Sequence, residues 1–305
     1  MAASTAPQPD PSAIGRIPKP PFAHVPGTEA LFATRAARFE ALAGGGHGLA
    51  PYLGFLAGLT RVQQQVAAAA PEPAMPSSGQ LERARTHAMP PLDRAGFSPD
   101  ATSFAIVAAV IEGAAALPMP AEAGAALARL QSAERPTLAA LIGNVLANAI
   151  PPDEVAEHVF IAAALQVDFA RRAAKLNAAD LQPVADGVCP CCGGAPASSL
   201  IVEWPRYEGN RYCACALCGT MWHYVRAKCT LCAQTGKISF REIEGGGRVK
   251  AEICGDCNGY AKVLYTAQEA TLDPVADDVA SLALDLLLRD EGFHRAAVNP
   301  FLTGY

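Results

Sequence analysis

Apolar residues in the first half of the chain come in runs long enough for helices, and glycine or proline interrupts them at intervals. Between about Gly27 and Leu176 alanine and leucine dominate, the texture of helices joined by short turns. Thr28 is placed to cap a helix running to about Leu42, which Gly44-Gly45-Gly46 stops. A second helix runs from about Tyr52 to Ala70 and ends at Pro71. The proline-rich stretch from Pro71 to Pro91 reads as a loop or extended connection. Further helices are predicted from Thr102 to Leu117, Ala121 to Ala133 and Thr137 to Ala149. The clearest follows Pro151-Pro152: Asp153 can cap it, Glu154 suits its first turn, and Arg171, Arg172 and Lys175 suit its end. No strand alternation is convincing before residue 188, so an all-α N-terminal domain is expected.

Beyond Cys189 the pattern changes. Short apolar runs at Leu200 to Val202, Met221 to Val225, Lys237 to Ile243 and Val249 to Ile253 alternate with Gly, Asn and Pro, which predicts short antiparallel strands and hairpins. Gly245-Gly246-Gly247 marks a turn. After Asp273-Pro274 the helical period returns, with Val279, Leu282, Ala283 and Leu286 on one face. Asn299-Pro300 then breaks the chain. The expected organisation is multidomain: a disordered tail over residues 1–20, an all-helical domain over 21–183, two small metal-binding subdomains over 184–226 and 227–270, and a C-terminal helix and tail over 271–305.

Composition narrows the class. At 305 residues with 51% hydrophobic and 17% charged side chains, the chain can bury ample core. Its first residues lack the apolar run of a signal peptide, and the most apolar stretch, Ala105 to Leu117, is short for a bilayer and carries Glu112. A soluble, cytoplasmic, non-exported protein with no membrane insertion is therefore expected. The net charge is −5, and residues 189–270 carry nine Lys/Arg against seven Asp/Glu. Eight thiolates with two divalent ions would add four negative charges, the opposite of the basic face that phosphates require. That charge disfavours a zinc-ribbon nucleic-acid binder, and no nucleic-acid partner is expected.

All ten cysteines lie between Cys189 and Cys257, and eight form Cys-x-x-Cys pairs: Cys189/Cys192, Cys215/Cys218, Cys229/Cys232 and Cys254/Cys257. In a reducing compartment such pairs read as metal ligands or redox groups. Each tight turn puts two sulfurs on one side, and two facing turns make a tetrahedral thiolate site for Zn²⁺ or a single Fe. Twenty-two residues separate Cys192 from Cys215, twenty-one separate Cys232 from Cys254, and ten join Cys218 to Cys229. That tandem repeat groups Cys189, Cys192, Cys215 and Cys218 around one ion and Cys229, Cys232, Cys254 and Cys257 around another. A cross-braced arrangement, with the first and third pairs sharing an ion, is the competing topology. Gly193 and Gly219 follow their knuckles where a positive φ is often needed, whereas the second unit has Ala233 and Asn258-Gly259. Units of about 40 residues bury little core alone. Binding free energies of roughly 10–16 kcal/mol make the ions principally structural.

Cys191 and Cys213 fall outside the pairs and read as partly buried thiols, with a reactive thiol or a shifted ligand register as the alternative. Trp204, Tyr207, Tyr212, Trp222 and Tyr224 are expected to pack over the hairpins. His223 is read as packing or solvent-facing rather than ligating. Asp277 and Asp278 are read as charges at a helix N-terminus rather than paired acids. No histidine sits in a zinc-hydrolase motif and no catalytic constellation stands out, so no enzymatic activity is expected.

Three stretches together resemble the family of the formate dehydrogenase accessory protein FdhE. They are YLGFLAGLTRVQ (Tyr52 to Gln63), the knuckles CPCC, CALCG, CTLC and CGDC, and the ending ADDVASLALDLLLRDEGFHRAAVNPF (Ala276 to Phe301). The resemblance implies an all-helical domain followed by two rubredoxin-like, zinc-ribbon-like subdomains. It implies a cytoplasmic maturation factor that contacts the catalytic subunit of formate dehydrogenase, the molybdenum- or tungsten-dependent enzyme that oxidises formate, before export. It tilts the metal toward iron, with zinc the alternative, and carries over the eight paired cysteines as ligands but not Cys191 or Cys213. A rubredoxin-like redox protein, passing electrons to a client or acting on it by thiol chemistry, is the competing function.

Overall fold

A computed structural model describes residues 19–302. The expected disordered tail lies almost wholly outside the described residues. A two-residue strand β1 (Ala23–His24) precedes seven helices: α1 (Thr28–Gly44), α2 (Ala50–Ala69), α3 (Ser78–Thr86), α4 (Ala101–Ala114), α5 (Ala121–Gln131), α6 (Arg135–Ala147) and α7 (Val155–Ala173). Helix α7 is the axis of this domain. Nearly every residue from Glu157 to Ala173 is buried, and α2, α4, α5 and α6 pack around it. Close approach of α2 and α4 rests on small residues: a Cβ on Gly113 would lie 2.6 Å from Val62 Cγ1.

Local chemistry explains where several helices begin and end. Asp100 accepts from Ser103 N at 2.9 Å and Ser103 Oγ accepts from Asp100 N at 3.3 Å, a capping box that starts α4. The same device, Ser77 with Gln80, starts α3 inside the stretch expected to be loop. The prolines at 71, 73, 76, 90 and 91 flank that helix rather than interrupt it. Asp153 does not cap α7; Glu154 holds the N-cap position without a side-chain bond, and Glu154 N donates to Pro151 O at 3.1 Å.

The second half is one sheet. Strands β2 (Pro196–Val202), β3 (Asn210–Cys215) and β4 (Met221–Tyr224) form the first antiparallel unit. Strands β5 (Ile238–Arg241), β6 (Val249–Cys254) and β7 (Gly259–Tyr265) form the second. The spatial order is β1-β4-β3-β2-β7-β6-β5, and a last short strand, β8 (His294–Arg295), pairs with β7. The units are not separate bodies: β2 and β7 pair in parallel, Ser199 opposite Val263 and Ile201 opposite Tyr265. Strand β2 is thereby central and buried along its whole length, Ser198 and Ser199 included, which is why its apolar and polar residues do not alternate. Strand β1, invisible in the pattern because two residues carry no period, adds to β4.

The C-terminal helix is two pieces, α8 (Ala276–Ala280) and α9 (Leu282–Asp290), which meet at Ser281. Asp277 and Asp278 do sit in the first turn of α8, but they are buried ion-pair partners rather than solvent-facing charges. Asp277 accepts from Arg38 of α1 at 2.6 and 2.9 Å, beside the pair of Arg35 with Asp273 at 3.1 Å. Asp278 faces the other way, to Lys262 of β7 at 3.3 Å and to Arg295. Adjacent acids thus clamp the C-terminal segment to the helical layer and to the sheet. No helix among the described residues is long and apolar enough to cross a membrane.

Lys262 is wholly buried between Asp278 at 3.3 Å and Asp285 at 2.5 Å, so removing both carboxylates strands a cation. Asp278→Ala/Asp285→Ala should cost at least about 3–5 kcal/mol, read as a lowered urea midpoint, because the uncompensated charge dominates. Glu40→Ala, which breaks a half-exposed pair with Arg61, should cost under about 1 kcal/mol.

Candidate metal centres

Three of the four Cys-x-x-Cys pairs are held in a tight turn closed by a backbone hydrogen bond. Gly193 N donates to Cys189 O at 2.9 Å, Gly219 N to Cys215 O at 3.2 Å, and Ala233 N to Cys229 O at 3.1 Å. The residue after each knuckle adopts the left-handed conformation: Gly193 at φ +76°, Gly219 at +72°, Ala233 at +62° and Asn258 at +55°. The second unit therefore uses the same turn as the first, with alanine and asparagine where glycine relieves the strain in the other.

These turns face each other in pairs. Cys189, Cys192, Cys215 and Cys218 bring their sulfurs within 4.8 Å of one another, and so do Cys229, Cys232, Cys254 and Cys257; each group could hold a metal ion. The first and third knuckles do not share a group, so the cross-braced topology is not the one adopted. Nearest sulfurs lie 3.6 Å apart for Cys189/Cys218, 3.4 Å for Cys192/Cys215, 3.8 Å for Cys229/Cys257 and 3.6 Å for Cys232/Cys254. A disulfide needs about 2.05 Å. A tetrahedron with metal–sulfur bonds of about 2.3 Å has edges of roughly 3.8 Å. The donor set and its spacing fit a tetrathiolate ion.

Electrostatics point the same way. Burial drives the Cys189 thiol well above its ordinary pKa, and at Cys191 a hydrogen bond with Cys218, then burial, does the same. Burial also opposes ionisation of Cys218, yet hydrogen bonds from Cys189, Cys191, Cys192 and Cys215 hold that one thiol well below the ordinary value. Without a cation such a quartet ionises one sulfur at the expense of its neighbours. A divalent ion is what lets all four carry charge together.

The two quartets sit in different surroundings. All four sulfur-bearing residues of the first are at most 2% exposed and belong to the same apolar core as the helices. The loop before α4 reaches across: Leu92 N donates to Cys191 O at 2.9 Å and Arg94 N to Cys192 O at 3.0 Å. From α7, Gln166 Nε2 donates at 2.8 Å to the carbonyl of Ala216, inside the second knuckle, while Gln63 Nε2 donates to Gln166 Oε1 at 2.8 Å. These two glutamines were not singled out by the sequence pattern; their signal is a polar residue on the inward face of an otherwise apolar helix. In the second quartet Cys232 and Cys257 are half-buried and Leu231 between the ligands is 51% exposed.

The remaining expected residues are placed as follows. Cys191 and Cys213 are wholly rather than partly buried and join neither quartet; Cys213 Sγ lies 3.4 Å from Ser199 Oγ. Tyr212, Trp222 and Tyr224 are buried, whereas Trp204 and Tyr207 are half-buried. His223 packs edge-on to Tyr212 and lies 3.1 Å from Asn210 Oδ1, away from the sulfurs. One buried pair went unforeseen: Arg211 of β3 reaches Glu252 of β6 at 2.9 Å across the two strands between them.

An all-helical domain fused to two zinc-ribbon-like, tetracysteine units within one sheet is a metal-binding architecture, and it is shared in full by proteins of known family. Family models described as "FdhE, N-terminal", "FdhE, central domain" and "FdhE, C-terminal domain" match residues 20–186, 188–226 and 227–302. The chain is 48% identical to the "Protein FdhE homolog" of Rhizobium meliloti (strain 1021) over 98% of both chains. It is 38% identical to that of Stutzerimonas stutzeri over 93% of both. The crystal structure of the FdhE protein from Pseudomonas aeruginosa superposes with a TM-score of 0.82 at 33% identity, covering 93% of this chain and 99% of the other. The chain belongs to the FdhE family.

Loss of one thiolate should empty one quartet and spare the other. Elemental analysis is expected to find two ions per wild-type chain and one after Cys192→Ser, with a larger loss of thermal stability for that change than for Cys232→Ser because the first quartet is part of the main core. Binding an ion expels thiol protons, and burial first of all pushes Cys257 up to about 12. Metal affinity, measured by chelator competition, should therefore fall as the pH is lowered.

Proposed function

We propose that the protein is a non-enzymatic accessory factor that binds the catalytic subunit of formate dehydrogenase in the cytoplasm before that subunit is assembled or exported. The eight paired cysteines are its metal ligands, with iron favoured over zinc on the family resemblance. The observation that carries a binding role is the completeness of each quartet: four sulfurs at tetrahedral spacing leave no coordination position open for a substrate. The ions then act by holding rigid knuckles, one of which is welded to the helical domain, so that a partner meets a preformed surface.

A rubredoxin-like redox role is the second reading. It is favoured by the half-buried Cys232 and Cys257, through which an electron could pass if the ion is iron. Anaerobic affinity capture separates the two. Tagged protein should enrich a formate dehydrogenase catalytic subunit from native cytoplasm, and Cys254→Ser/Cys257→Ser should abolish that enrichment. Absence of enrichment, together with a reversible one-electron couple in the purified protein, would replace the docking role by the redox one.

A further inference from the structure

The two quartets share ligands and turn geometry yet differ in everything that controls ligand exchange. An incoming ligand must reach the ion before a sulfur can leave. At the first quartet the approach is closed by the helical domain. Pro90 Cγ lies 3.3 Å from where a Cβ on Gly193 would sit, and Leu31 Cδ2 lies 2.8 Å from the equivalent point on Gly219. Leu92 and Arg94 bond to the knuckle backbone, and Gln166 holds the opposite one. Displacing a sulfur here means opening the main core.

At the second quartet two of the four ligands reach solvent, and Thr230 and Leu231 of its first knuckle face α6 across an open cavity lined also by Gly143, Leu146 and Ala147. Its sulfurs are also unequal in the hydrogen bonds that stabilise them as thiolates. Cys229 Sγ accepts from Leu231 N at 3.4 Å and Cys232 N at 3.5 Å, and Cys257 Sγ accepts from Gly259 N at 3.4 Å. Cys254 accepts from the backbone of Asp256 and Cys257. Among the described residues no backbone N–H is aimed at Cys232 Sγ, which lies half-exposed beside the exposed Leu231.

We propose that the second quartet is an exchangeable metal site that trades its divalent ion with an external thiolate ligand through Cys232, while the first quartet is a permanent structural site. The inference rests on reading both quartets as metal sites. In the exchange an external thiolate bonds to the ion as Cys232 Sγ leaves and takes a proton from water; no electron moves, and the ion keeps its charge. Leu231 offers an apolar contact beside the point of entry. Such a site accepts or delivers a soft divalent ion without unfolding the rest of the chain.

The test uses full-length protein loaded with natural-abundance zinc, whose content is first measured. Two ions per chain establishes the metal-site reading itself; fewer than two would sink that reading, independently of the exchange. The loaded protein is then incubated with an enriched zinc isotope, with and without glutathione, and followed by native mass spectrometry. One ion should exchange at least about tenfold faster than the other and faster still with glutathione, while the helical circular dichroism stays constant. Limited iodoacetamide treatment should place its first label on Cys232 and leave Cys189, Cys192, Cys215 and Cys218 unmodified. Equal exchange of both ions, or a first label on any other of the eight cysteines, would overturn the proposal.

Discussion

Four thiolates cannot share a dry cavity unless a cation is among them, and the first quartet places that demand at the centre of the molecule. Its sulfurs lie in the same core as Phe32, Phe39, Phe160 and Phe169 of the helical domain. The domain boundary near residue 188 is thus a change of secondary structure and not of core. An ion there would do more than fold a small ribbon. It would complete the wall against which α7 packs, where the Gln63–Gln166–Ala216 chain of hydrogen bonds ties the knuckle to two helices.

Buried ionic links do the remaining joining. Arg38 with Asp277 and Arg35 with Asp273 fasten α1 to the C-terminal segment, and Lys262 with Asp278 and Asp285 fastens that segment to β7. Arg211 with Glu252 spans the seam where the two metal units meet in the sheet. Such pairs are costly to desolvate and add little net stability over apolar contacts, but they are intolerant of mispairing. Their placement at every junction between layers suits a molecule whose layers must adopt one relative position.

The two ribbons share a sheet while having different surroundings, and that difference sets their roles apart. The first has been absorbed into the helical domain. The second keeps a smaller cluster around Ile253, Tyr260 and Leu288, shares another with the first around Leu200, Tyr212 and Leu264, and presents Leu231, Phe240 and Ile243 to solvent. Leu231 stands exposed within a knuckle, while Phe240 lies on β5 and Ile243 in the turn after it.

How much of this was legible in the chain follows the range of each interaction. Helices declared themselves through period and caps, and the four knuckles through a spacing of three, because both depend on residues within a turn of one another. The tandem grouping of the quartets could be read because each draws on neighbouring segments. Helix α3 was hidden by the prolines around it, and β1 by its brevity. Asp277 and Asp278 read as helix-end charges because nothing near them in sequence announces Arg38, 239 residues away from Asp277, or Lys262 on a strand. The parallel pairing of β2 with β7, the buried Arg211, and the closing of one quartet but not the other are likewise set by distant segments. The sequence by itself determined the paired cysteines, their turns and the two fold textures, since these are local chemistry. Only the tertiary structure decided which sulfurs are sealed and which reach solvent, since burial belongs to whatever the rest of the chain brings to lie against them.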